Sequence, residues 1–343
     1  MKKTLIALAV LGLSGAAMAQ SSVTMYGLAD AGVGKMKLTS QMDPVLSAAG
    51  VGGDVGDADA TNKTQFISGS RMNNSDSRVG VRGVEDLGGG LKAGFNFESG
   101  LDLDTGATTT SNFWARYANV SLSGDSWGTV KLGRQYNASY LVTTMFELTD
   151  AANYSVLGNT YNYTGVGVRA SSAFSYMTPT FNGFTAGVGY VNKNDVGMNA
   201  VDVGALYADG PLVVAASANK STHGKTAYQL GGKYNFGSFI LAASYTQAVI
   251  PTTHLIRRGF ELGGTVKFGA FSATLDLTRD TKNEWTLANL GAAQVGIGPS
   301  GGRKYTNGLL ELKYSLSKRT FLYGAYLHLD KTNNYGIGML HTF

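Results

Sequence analysis

The residues best able to do chemistry open the stretch SRVGVRGVEDLGGGLKAGFNFE, residues 77–98. Arg78 and Arg82 alternate with Val79 and Val81, so on an extended chain the guanidinium groups share one face and the valines the other. Fixed cations on one face can bind or steer anions, but they cannot enter an apolar core unpaired. The other candidates do not assemble into a site. His223, His254, His328 and His341 are scattered, with no close metal-ligand spacing. Residues 296–301, GIGPSG, fit G-x-G-x-x-G but open no helix and sit in a long loop. Gly88-Gly89-Gly90 reads as a turn. No G-x-S-x-G nucleophile motif occurs, and the chain has no cysteine, which removes thiol, disulfide and Cys-ligated metal chemistry. The expectation is a protein without catalytic centre, metal or cofactor.

The elements that must position the arginines are strands. Residues 1–19, MKKTLIALAVLGLSGAAMA, have a basic start, a short apolar centre and an A-x-A end, so they read as a secretory signal peptide cleaved after Ala19. The mature chain would be 20–343, one β-barrel domain. Removing Lys2 and Lys3 takes the net charge from +5 to +3. With no basic block, nucleic acid is not an expected partner. Forty-seven glycines, 18 tyrosines and 15 phenylalanines with only five prolines point to an all-β chain of short strands. Segments with dyad alternation begin near Val23, Arg78, Leu91, Phe113, Trp127, Val168, Phe184, Ala200, Pro211, Lys225, Ser238, Arg257, Ala270, Lys304, Arg319 and Asn334. These are sixteen candidates of the length a tilted membrane strand needs. Long links at 34–75, 135–167 and 280–303 alternate with tight turns, as in an up-and-down barrel with long loops at one rim. Asp54, Asp57 and Asp59 fall in the first link, which reads as a surface loop.

Such a barrel inverts the soluble pattern, with lipid outside and water inside. Val79 and Val81 then meet lipid while Arg78 and Arg82 face the lumen, because an arginine on the lipid face costs roughly 2–4 kcal/mol near the midplane. By the same alternation Lys92, Asn96 and Glu98 point inward and Leu91, Ala93, Phe95 and Phe97 outward. Tyr26, Trp114, Trp127, Tyr190 and Tyr323 fit interfacial girdles. The pattern blurs in LVVAASANKS, which suggests either a face toward a neighbouring subunit or small interior residues. The long 135–167 link carries apolar residues and tyrosines, and folding inward to narrow a channel would use them.

SSVTMYGLADAGV, SRVGVRGVEDLGGGLKAGFNFESG, SLSGDSWGTVKLGRQY, VRASSAFSYMTPTFNGFTAGVGY and the terminal HTF together resemble the general diffusion porins of Gram-negative outer membranes, especially the betaproteobacterial type. The resemblance covers nearly the whole chain. It implies a sixteen-stranded antiparallel transmembrane barrel, a homotrimer, and a third loop folded into the pore. It further implies a wall of arginines opposite acids on that loop. Arg78, Arg116 and Arg169 match the wall positions, and Arg82 follows Arg78 on the same face. Glu147 and Asp150 lie in the third loop, and either could be the constriction acid. Strict alternation, however, groups Arg116 with outward Val120 and Leu122. Leu340 stands where such chains often carry a basic residue, while Phe343 matches the residue thought to be read by the outer-membrane assembly machinery.

The expected function is passive diffusion of ions and small hydrophilic solutes across the outer membrane, with anion preference. Lipid, lipopolysaccharide, the assembly machinery and small anions are the expected partners. The alternatives are a solute-specific channel with a binding track in the constriction loop and, more remotely, an outer-membrane barrel enzyme.

Overall fold

A computed structural model describes residues 22–37, 62–163, 167–192, 198–285 and 302–343. The expected signal peptide, the aspartates at 54, 57 and 59, and the 296–301 glycine motif lie outside the described residues. The strands are β1 (Ser22–Lys35), β2 (Gln65–Ile67), β3 (Arg78–Gly88), β4 (Leu91–Gly100), β5 (Tyr117–Gly124) and β6 (Gly128–Tyr136). Two helices follow, α1 (Ala138–Thr144) and α2 (Val156–Tyr161). The chain continues as β7 (Arg169–Met177), β8 (Phe184–Val191), β9 (Ala200–Asp209), β10 (Leu212–Ser221), β11 (Ala227–Asn235) and β12 (Phe239–Val249). It ends with β13 (Ile256–Phe268), β14 (Phe271–Asn283), β15 (Thr306–Ser315), β16 (Thr320–Leu329) and β17 (Thr332–Thr342).

Neighbouring strands pair antiparallel, and β1 pairs with both β3 and β17, so the sheet closes on itself. The three-residue β2 pairs with Gly32, Val33 and Gly34 of β1 beyond the end of the β1–β3 register. It lengthens one seam, and the wall has the expected sixteen staves. Among the described residues each of the sixteen staves pairs on both sides, the condition for a sheet in hydrocarbon. The seam between the chain ends is fastened by Gly27 N–H to Phe343 O (3.2 Å) and Phe343 N–H to Gly27 O (3.1 Å).

Strand starts agree with the alternation to within two residues except at β5. There PheTrp at 113–114 precedes the ladder, and pairing begins at Tyr117 opposite Glu98. The aromatic pair extends the apolar alternation into a connection whose backbone is not paired, so periodicity alone overreached. The three long links leave the same rim, but so do short connections such as Asp330-Lys331. Tight turns close the other rim. Between β9 and β10, Gly210 takes a left-handed φ of +53° that starts a two-residue link before Pro211.

Side-chain exposure settles which face is wet. Leu262, Leu275 and Leu312 are 66%, 55% and 53% exposed, while their strand neighbours Glu261, Asp276 and Glu311 are 2%, 0% and 2%. A soluble sheet would bury the leucines and expose the acids. Here the apolar band can be covered only by lipid or another subunit. Val79 and Val81 share the outward face. Tyr26, opposite Gly80, lies inside and donates its hydroxyl to Asn96 Oδ1 (2.8 Å) and Glu98 Oε2 (2.9 Å). Two residues of the expected girdles are therefore corrected: Tyr26 and Tyr323 point inward. Tyr323 is buried and donates to Asp30 Oδ1 at 2.6 Å. Parity outranks position near a strand end, because a side chain two residues from its neighbour must share its face.

Candidate functional site

The segment between β6 and β7 is closed at its base by Asn137, whose N–H donates to Val168 O and whose Nδ2 donates to Gly167 O at 2.9 Å. From there it contacts strands far around the wall. In α1, the Ser139 N–H donates to Asp202 Oδ2 on β9 (3.0 Å), and Thr143 Oγ1 pairs with Gln229 on β11. Tyr154 donates to Glu311 Oε2 on β15 at 2.7 Å. In α2, Thr160 Oγ1 meets Thr278 Oγ1 on β14 (2.9 Å) and accepts from Asn307 Nδ2 on β15 (2.9 Å). Ser155 caps α2, its Oγ accepting from Gly158 N–H, and Asn162 ends it with a left-handed φ of 46°.

What lets this segment lie close against the wall is missing side chains. A Cβ on Gly204 would stand 2.8 Å from Ala138 O, one on Gly231 2.5 Å from the Phe146 ring, and one on Gly263 2.7 Å from Leu148 Cδ1. Ala215 on β10 is buried beneath the same segment, and Asn219 Nδ2 reaches Ser139 Oγ. The blurred LVVAASANKS pattern thus belongs to small interior residues under α1.

The two candidate acids of this segment part company. Glu147 is fully buried, and its carboxylate accepts from Thr149 N–H (2.8 Å), Thr149 Oγ1 (2.7 Å) and Ala151 N–H (2.7 Å). Burial pushes its carboxyl above the usual carboxylate range, although those hydrogen bonds pull the other way. Its role is internal to the segment, holding the left-handed Asp150 (φ 59°) and Ala151 (φ 58°). Asp150 is exposed. It borders a cavity of about 340 Å³ between segment and wall, which Lys233, Lys267, Lys313 and Glu311 also line.

On the opposite side, Arg116 lies one residue before β5, outside the alternation that grouped it with Val120 and Leu122. It is buried, with Nε 2.7 Å from Glu98 Oε1 and Nη1 2.9 Å from Asp76 Oδ2. Arg78 Nε is 3.7 Å from Glu98 Oε2, and its Nη1 donates to Ser75 Oγ (2.9 Å) and Asp76 O (3.1 Å). Arg82 is exposed in the lumen, 5.0 Å from the Tyr26 ring centroid. Arg169 Nη2 donates to Tyr136 OH at 2.7 Å. Arg78 and Arg116 thus converge on one acid; Arg82 and Arg169 stand beside tyrosines.

Residues that the sequence reading did not single out include Asp76, the partner of Arg116, and the inward acids Asp202, Glu261, Asp276 and Glu311. Their signal was present, since VDV, FEL, LDL and LEL each place one acid between two apolar residues on the lumen parity. Arg257 belongs here too. It is buried and grips Asp280 through Nε and Nη2, both at 3.0 Å, and Asp330 through Nη2 at 3.0 Å.

The Gram-negative porin family matches residues 4–334. An outer membrane porin, protein 32, of Delftia acidovorans is 34% identical over 99% of this chain and 92% of its own length. A Bordetella pertussis outer membrane porin is 30% identical over the full length of both chains. Among solved structures, an anion-selective porin from Comamonas acidovorans superposes with a TM-score of 0.68 at 25% identity, covering 94% of this chain and all of that one. The closed sixteen-stave wall, its inverted alternation and these full-length likenesses lead to one conclusion: the chain belongs to the Gram-negative porin family.

Proposed function

We propose that the chain is an outer-membrane channel for passive diffusion of ions and small hydrophilic solutes, with anion preference. The single observation that carries the channel reading is the inverted wall, with leucines exposed outside and acids, lysines and arginines inside. Such a lumen holds water, and its fixed charges set which ions enter. The described part of the β6–β7 link, residues 137–163, folds inward as the third loop and narrows the lumen. Its hydrogen bonds to β9, β11, β14 and β15 support this, because a β6–β7 connection reaches those strands by crossing the interior. Asp150 is the acid it offers to the pore, and Arg78, Arg82, Arg116 and Arg169 form the facing basic wall. The anion preference rests on those arginines and on the likeness to a porin described as anion-selective.

The barrel assembles as a trimer within outer-membrane lipid and lipopolysaccharide. Ring pairs at the short-turn rim, Phe184–Tyr207 (4.6 Å), Phe236–Phe239 (4.4 Å) and Phe271–Tyr314 (4.4 Å), run from β8 to β15. At that rim β1 carries exposed Val23 and Met25 and β17 carries Met339, apart from terminal Phe343. A one-sided girdle supports lipid on the aromatic side and a second copy on the aliphatic side. Residues 1–19 direct export and are removed, and Phe343 serves assembly. The porin fold and family point to a channel rather than an enzyme.

Conductance in planar bilayers under a salt gradient tests the reading. Stepwise openings in threes and a reversal potential of anionic sign are expected; a folded, reconstituted protein that passes no ions defeats it. A solute-specific channel is the second reading. A tyrosine row favours it: Tyr117, Tyr136, Tyr140 and Tyr163 have successive centroids 5.0, 4.8 and 5.0 Å apart. It predicts saturable flux of the favoured solute.

A further inference from the structure

The cavity beside Asp150 gathers cations of a different standing from the arginines. Lys267 pairs in register with Ser272, and Ser272 with Lys313, so the two lysines stand at one height two strands apart, about 10 Å between backbones. Lys233 joins them from β11 on the same cavity. Lys313 Nζ is 3.0 Å from Glu311 Oε2, so that charge is compensated. Among the described residues, Lys233 and Lys267 enter no ion pair. Ser272 and Asn235 line the same space and add neutral donors. Asp150 borders the same cavity, and one acid there against these two lysines leaves an excess of positive charge. Arg78 and Arg116 differ, because Glu98 and Asp76 oppose them within 4 Å.

From this juxtaposition we infer that Lys233 and Lys267 form an anion site in the lumen, between the third loop and the short-turn rim. Its ligand is a small doubly charged oxyanion. The register sets Lys233 level with Gly263, four residues along β13 from Lys267, so the two ammonium groups border one hydroxyl-lined cavity from different heights. A dianion between them can engage both, whereas a chloride ion satisfies one at a time. The site is open to water, so binding is weak and the anion passes on, which is what a conducting pore requires. This inference rests on the channel reading and assigns part of its anion preference to the far wall.

The test uses the full chain reconstituted in planar bilayers, carrying chloride current, with inorganic phosphate as the probe. Millimolar phosphate should reduce the wild-type chloride current in a saturable manner. The K233Q/K267Q variant should lose that effect, and its anion-to-cation permeability ratio should fall roughly twofold or more while stepwise openings persist. Both lysines sit on a water-filled surface, so the variant is expected to fold. If it does not, the single variants K233Q and K267Q should each weaken the phosphate effect, and a full effect in both overturns the inference. Phosphate with no effect on the wild type, or a full effect retained in the variant, overturns the inference while leaving the channel intact. A protein that carries no current at all overturns the channel reading and the inference with it.

Discussion

The two sides of the lumen solve the same problem, keeping charge inside a lipid-embedded wall, in different ways. On the β3–β6 side the charges hold one another: Arg116 bridges Asp76 and Glu98, and Arg78 shares Glu98. On the β9–β15 side, glycines and buried acids receive residues 138–161, and among the described residues two lysines enter no ion pair beside them. One side is an ion-pair lattice and the other a seat. A buried lattice keeps its geometry because losing one partner strands another charge. A seat keeps its geometry because contact leaves no room for an added atom. The lattice should therefore tolerate only changes made in pairs, and the seat only changes that add no volume.

Four experiments would break or sharpen that contrast. The largest effect is expected at Arg257, which behaves like the lattice although it stands on the seat side. Arg257→Met should destabilise the barrel by about 3–5 kcal/mol, since Asp280 and Asp330 are left buried without their cation. Thermal unfolding of the detergent-folded protein measures it, and a loss below 1 kcal/mol would mean that water replaces the guanidinium. Gly231→Val comes next. Its side chain meets the Phe146 ring, and the overpacking should cost about 1–3 kcal/mol. The wall should remain folded while the segment lifts, giving faster protease cleavage within 137–168 and altered single-channel conductance. Unchanged cleavage would show that the seat does not hold the loop.

The third is a pH effect at Glu147. Its folded-state pKa is raised, so the protonated form is favoured by the fold. The stabilisation is fully present below the ordinary glutamate pKa and is lost as pH rises through the raised value. Protease resistance of the loop in wild type should fall on going from acidic toward neutral pH. Glu147→Gln should flatten that dependence, and a profile identical to wild type would assign the effect to another group. The smallest change is expected from the R78Q/E98Q double variant. It removes one charge of each sign, so the reversal potential should move by only a few millivolts. A shift as large as that of K233Q/K267Q would give the Arg78–Glu98 pair as large a share of the selectivity as the two lysines. Arg78→Gln alone is a poorer discriminator, because it changes net charge however well Arg78 was paired.

The alternation in RVGVR and KAGFNFE was enough to place Arg78, Arg82, Asn96 and Glu98 inside and the valines and phenylalanines outside. The reason is local: successive strand residues must point to opposite faces, and an arginine in hydrocarbon is costly. The number of staves was legible on the same ground, and the error at Phe113 came where alternation ran on past the paired backbone. Arg116 marks the limit. Its parity pointed to lipid, yet it sits one residue outside β5 and turns to two acids distant in sequence. Glu147 and Asp150 were equivalent as residue types. The fold separates them, because one left-handed turn buries the first among its own backbone donors and leaves the second beside the cavity. Glycines and acids spread over β9–β15 became a seat only when closure brought β6 and β15 to face one interior. Local periodicity therefore determined which side of each strand is wet. Which charges are compensated, and which remain to act on an ion, depends on distances between strands far apart in the chain, and only the closed barrel decides those.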